Sequence, residues 1–77
     1  MGADPAEVWK LVQRADDLVK YAQNRDPQTA FAQARAVLDE AETLTAELDQ
    51  KAAANLRAQI QTRRDDIERF EAAADVP

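Results

Sequence analysis

Histidine, cysteine and serine are all absent from this 77-residue chain, so any chemistry would fall to carboxylates, threonines, lysines and arginines. Nucleophilic catalysis needs a hydroxyl, thiol or amine beside a group that activates it. The four threonines and three lysines have no obvious activating partner in the sequence. Carboxylate pairs at Asp16-Asp17 and Asp65-Asp66 carry the right groups for acid–base exchange. Neighbouring residues on a helix point about 100° apart, so neither pair converges on one site, and both read as solvated surface. A di-iron carboxylate bundle requires Glu-x-x-His, and zinc and haem favour histidine or cysteine. A calcium loop of the EF-hand type needs a central glycine and a phosphate cradle needs several, yet the only glycine is Gly2. The expectation is a protein that is not an enzyme and holds no cofactor and no metal.

Three residues stand out as candidates for binding a partner: Trp9, Arg63 and Arg64. Tryptophan is enriched where binding energy concentrates, but a lone tryptophan also serves to close one end of a small core. The two arginines fall between Ile60 and Ile67, so at least one lies on or beside an apolar stripe. Such an arginine either lays its stem on apolar surface with its head in water, paired locally with Asp65 or Glu68, or grips an acidic residue of a partner.

The elements that position these side chains are helices. Alanine, the best helix former, supplies 17 residues, while strand-favouring residues are scarce. Two Asp-Pro pairs read as helix starts. Asp4 caps, Pro5 suits the first helical position and Glu7 has capping-box spacing; Asp26-Pro27 repeats the arrangement with Thr29 in the glutamate's place. Helix 1 is predicted over 5–24, ending near Asn24 or Arg25 because residues before proline avoid the helical region. Its apolar residues, from Val8, Leu11 and Val12 to Val19 and Ala22, fall at three- and four-residue steps. Helix 2 is predicted over 27–48, its stripe running from Ala30 and Phe31 through Leu38 and Ala41 to Leu44 and Leu48. Alanines seven residues apart, Ala15 with Ala22 and Ala34 with Ala41, predict a tight antiparallel hairpin.

From Leu48 to Val76 there is no proline or glycine, so the third helix is argued from phase. From Leu44 to Ile67 an unbroken helix would carry its stripe about 140° around the axis. A turn near Asp49-Gln50-Lys51 resolves this, with Asp49 as cap and helix 3 over 51–74, burying Ala53, Leu56, Ile60, Ile67, Phe70 and Ala74. The rival is a long bent helix that pairs in a dimer. Three helices of roughly 30 Å joined by short connections give an all-α, antiparallel up-down-up three-helix bundle. That topology sets the acids Asp39, Glu40, Glu42, Glu47 and Asp49 beside the positive ends of helices 1 and 3, with Lys10 and Lys51 nearby.

At this length the chain makes one domain, residues 1–77, and Met1-Gly2-Ala3 is compatible with a module cut from a longer protein. A net charge of −5 argues against nucleic acid; the arginine row Arg57, Arg63, Arg64 and Arg69 is largely neutralised by Asp65, Asp66, Glu68 and Glu71. Apolar runs are too short for a membrane span or signal peptide. The absence of cysteine fits a reducing cytoplasmic setting.

The layout resembles the MIT domain, the microtubule-interacting and trafficking module, from about Ala6 to Ala72. The resemblance rests on Leu11-Val12-x-x-Ala15 in helix 1, Ala30 opening helix 2 and Leu56-Arg57-Ala58 beginning helix 3. Helix 2 departs from that pattern in lacking aromatics near its middle, and helix 3 in carrying arginines where an apolar residue or tyrosine is expected. More distantly the chain resembles paired helices of tetratricopeptide-type repeats. The MIT resemblance implies docking of short helical or extended tails between two helices. The functional expectation is therefore a non-catalytic protein–protein interaction module, monomeric, taking a helical or extended peptide in an interhelical groove. The alternative is a structural, self-associating domain or the helical cap of a larger chaperone-like or assembly protein, with Ala32, Arg35 and Ala36 as a second packing face.

Overall fold

A computed structural model describes residues 4–22 and 26–74. It consists of three helices, α1 (Pro5–Lys20), α2 (Pro27–Thr45) and α3 (Gln50–Ala74), packed as an up-down-up bundle. The starts are where the sequence places them. The Asp4 carboxylate accepts from the Ala6 amide at 3.0 Å, and the Asp26 carboxylate from the Gln28 amide at 3.2 Å. Thr29, in the position of a capping-box glutamate, donates its hydroxyl to Asp26 at 2.8 Å. Asp49 caps α3 by accepting from the Lys51 amide at 2.8 Å. Each cap satisfies an amide that the first helical turn leaves without a partner.

The ends differ from expectation. α1 stops at Lys20, where the Tyr21 amide donates to Asp17 and Val19 carbonyls; the predicted end at Asn24 or Arg25 lies outside the described residues. α2 stops at Thr45 instead of Leu48. Its last turn tightens into three-residue hydrogen bonds, from the Ala46, Glu47 and Leu48 amides to the Thr43, Leu44 and Thr45 carbonyls. The turn before α3 therefore covers residues 46–49, slightly earlier than the sequence suggests, and it contains no glycine or positive φ.

α1 and α2 pack most extensively, and the alanine spacing explains why. Ala15, Ala22, Ala34 and Ala41 are all buried, so the hairpin closes without large side chains between its helices. Val8, Val12, Phe31 and Leu38 complete the hairpin's share of the core, and α3 adds Leu56, Ile60 and Ile67. Thr45, not Leu44, lies at the buried centre of the last α2 turn, while Leu44 is only half-buried. Phe70, expected in the core, is 46% exposed. Its level in the bundle is that of Lys20, the last residue of α1. Of Ala74 only the helical backbone is described. The bundle is elongated, 46 × 18 × 14 Å, and α3, at 25 residues, is its longest helix.

Candidate functional site

Among its described side chains α3 buries four apolar ones, Ala53, Leu56, Ile60 and Ile67, over 25 residues. Arginines do the remaining work of attaching it, and they do so by reaching in opposite directions. Arg63 reaches α1: its Nε and Nη2 donate to the two carboxylate oxygens of Asp16 at 3.1 and 3.2 Å. Its Nη1 donates to the Gln59 side-chain oxygen at 2.5 Å and to the Gln59 carbonyl at 3.2 Å. Arg64, one residue on, reaches α2 and donates from Nη2 to Asp39 at 2.6 Å and to Glu42 at 3.0 Å. A step of about 100° per residue makes this divergence automatic: consecutive residues on α3 face the two flanking helices. Further along, Arg35 of α2 pairs with Glu71, and Arg57 donates from Nε to the buried Thr45 hydroxyl at 3.0 Å. Thr45 in turn donates to the Glu42 carbonyl at 2.6 Å, so its hydroxyl is satisfied on both counts.

These pairs shape the local electrostatics. The Arg64 guanidinium is held above its ordinary value by Glu42 first, against partial burial, and then by Asp39. Arg35 is raised chiefly by its hydrogen bond to Glu71, and the same bond holds the Glu71 carboxyl below its ordinary range. The acids at the end of α2 are therefore met by Arg64; neither Lys10 nor Lys51 forms an ion pair among the described residues. Likewise Arg63 and Arg64 find their carboxylates across helices, and neither pairs with the local Asp65 or Glu68.

Trp9 is 38% exposed and does not close the core. The Arg63 guanidinium carbon lies 5.6 Å from its ring centroid, the range of a cation–π contact. Of the three candidate residues, the fold thus unites Trp9 with Arg63 on the seam between the parallel helices α1 and α3, and turns Arg64 to the other side. That seam is the loosest in the bundle. Above Arg63 a shallow, wide-open hollow lies between Pro5, Ala6 and Trp9 on α1 and Ala52, Asn55 and Leu56 on α3. Below it a second hollow runs past Ala15, Val19, Ile67 and Phe70. It leads to an apolar recess of about 430 Å³ lined by Val19, Ala22, Pro27, Phe31 and Phe70. Among the described residues the Arg63–Asp16 pair is the sole ion pair across this seam, whereas the α2–α3 seam has three. A separate hollow between α1 and α2, about 350 Å³, is lined by Arg14, Leu18, Tyr21 and Thr29, with the Lys20 ammonium 5.5 Å from the Tyr21 ring centroid.

Among the described residues no three acid side chains cluster to hold a metal, and no helix is long and apolar enough to cross a membrane. Comparison with protein families, curated proteins and solved structures finds no match to this chain.

Two contributors to the seam escape sequence reasoning. Asp16 reads as one half of a solvated acid pair until its partner, 47 residues away, is known. Phe70 reads as core because its spacing from Ile67 is helical, whereas the fold places it beside the last residues of α1 and 46% exposed.

Proposed function

We propose that the chain is a non-catalytic protein–protein interaction module that docks a helical or extended peptide along the α1/α3 seam. One observation carries the reading: hollows lie on both sides of a single Arg63–Asp16 tie, with exposed aromatics, Trp9 and Phe70, at either end. Leu56 to Phe70 spans about 21 Å along α3, the length of four helical turns or about six extended residues. Aromatic anchors in apolar recesses, flanked by a charged pair, are the usual components of a peptide-binding groove. The net charge of −5 favours a partner that is basic around its apolar anchors. The tail docking implied by the MIT resemblance is of the same kind.

Trp9 is the only tryptophan, so its emission reports on the seam directly. A peptide with leucines at successive three- and four-residue steps and lysines elsewhere is expected to shift that emission saturably. Phe70→Ala, at the far end of the seam, is expected to weaken the binding at least tenfold. Titration without saturation, or with equal affinity for Phe70→Ala, would contradict the reading.

The second reading is structural: self-association, or capping of a larger chaperone-like or assembly protein through the Phe31–Phe70 recess. Failure of the peptide to bind, combined with concentration-dependent dimers of the unmodified chain that Phe70→Ala abolishes, would favour it.

A further inference from the structure

We infer that the chain has a second way of assembling, independent of the groove: an exchanged dimer in which the α2–α3 turn straightens and each α3 docks on the hairpin of a second copy. Three observations carry this. The first is the chemistry of the turn. Residues 46–49 are Ala-Glu-Leu-Asp, with no glycine, no proline and no positive φ, and Ala46 is already in the right-handed helical region. The turn's three-residue hydrogen bonds need only lengthen by one residue each to continue α2 into α3. What holds the turn is the Asp49 cap, together with the Thr45 hydroxyl at the end of α2.

The second observation is phase. Measured from the side chains that are buried, the stripe passes through Leu38, Thr45, Leu56 and Ile67, at steps of seven and then eleven residues. A step of eleven turns a helix by about 20° beyond whole turns, so the stripe continues across the turn nearly straight. The half-buried Leu48 and Ala52 fill the interval. The drift of about 140° between Leu44 and Ile67 falls to about 40° because Thr45 holds the central position.

The third is register. The bridges between α2 and α3, Arg35–Glu71, Asp39–Arg64 and Thr45–Arg57, are all centred close to residue 52. Two straightened α2–α3 rods crossing antiparallel would share that centre as their two-fold axis. Every bridge would re-form between copies without any shift, and such closed two-fold exchange is the low-cost route to a dimer. Each lobe would retain one complete α1/α3 seam.

The test uses the whole chain, refolded from denaturant at micromolar and at millimolar concentration, then sized by sedimentation. Asp49→Ala is expected to raise the dimer fraction several-fold, and Glu47→Gly to return the chain to monomer, with helical circular dichroism confirming that both fold. For the geometry, a chain carrying spin labels at Glu40→Cys and Gln61→Cys is refolded with excess unlabelled chain. The hairpin gives a separation under about 20 Å, and the straightened rod about 32 Å. A dimer showing the long distance supports the exchange. Monomer under every condition, Asp49→Ala included, overturns it, as does a dimer that keeps only the short distance. Peptide binding at the seam does not enter either readout.

Discussion

Arg63 on α3 holds Asp16 on α1 through two nearly equal hydrogen bonds, 3.1 and 3.2 Å, while its guanidinium lies against the Trp9 ring. A planar fork suits this double duty, because one face is free for the aromatic ring while the edge meets the carboxylate. Arg63→Lys keeps the charge but loses the fork. It is expected to cost somewhat less than about 1 kcal/mol in urea unfolding, because the ion pair and the cation–π contact are weakened and not abolished. Trp9 emission should change in the folded state as well. Unchanged emission and unchanged stability would mean that the clamp is idle.

Core positions and seam positions should separate cleanly. Leu38 and Ile60 are almost wholly buried, and truncating either to alanine should cost about 2–5 kcal/mol. A domain this small has only several kcal/mol in total, so either variant should be largely unfolded in thermal melts. Phe70→Ala should cost less than about 1 kcal/mol, because nearly half of the ring is already in water. Unfolding by Phe70→Ala would place it in the core after all.

Thr45 gives a sharper test of the polar seam. Thr45→Val preserves shape but removes both the acceptor for Arg57 and the donor to the Glu42 carbonyl. A loss of about 1 kcal/mol in denaturant unfolding is expected. If the variant is as stable as the parent, the hydroxyl is not part of what ends α2.

Acid should loosen the far end of α3. Arg35 holds the Glu71 carboxyl below its ordinary value near 4.5, so the pair stabilises the fold at neutral pH and that contribution fades as pH falls through the lowered folded value. Glu71→Gln removes the titrating group. The drop in melting temperature between pH 7 and pH 3 should be smaller in the variant than in the parent. An identical drop in both would assign acid sensitivity to other carboxylates.

Local signals explain which parts of the fold were legible in the sequence. Asp4-Pro5, Asp26-Pro27 and Asp49 act within a few residues, so all three helix starts can be read directly. Seven-residue alanine spacing announces the tight hairpin for the same reason. A phase argument built on Leu44 puts a turn near Asp49-Gln50-Lys51, whereas the chain turns at 46–49 and the buried position is Thr45; hydrophobicity alone passes over a threonine whose hydroxyl is satisfied by Arg57 and a carbonyl. Partners of Arg63, Arg64 and Arg35 lie tens of residues away, and only the folded topology brings them within reach. Trp9 remained open between core and surface because its position flanks the stripe; the parallel packing of α1 and α3 leaves it 38% exposed.

The docking claim is tested most directly by backbone amide NMR of the isotope-labelled chain during titration with the leucine–lysine peptide. Saturable shifts confined to the described stretches facing the α1/α3 seam, from Ala6 to Lys20 and from Ala52 to Ala73, are the predicted result. Shifts spread evenly over the acidic surface and abolished by moderate salt, or centred on the outer face of α2, would contradict it.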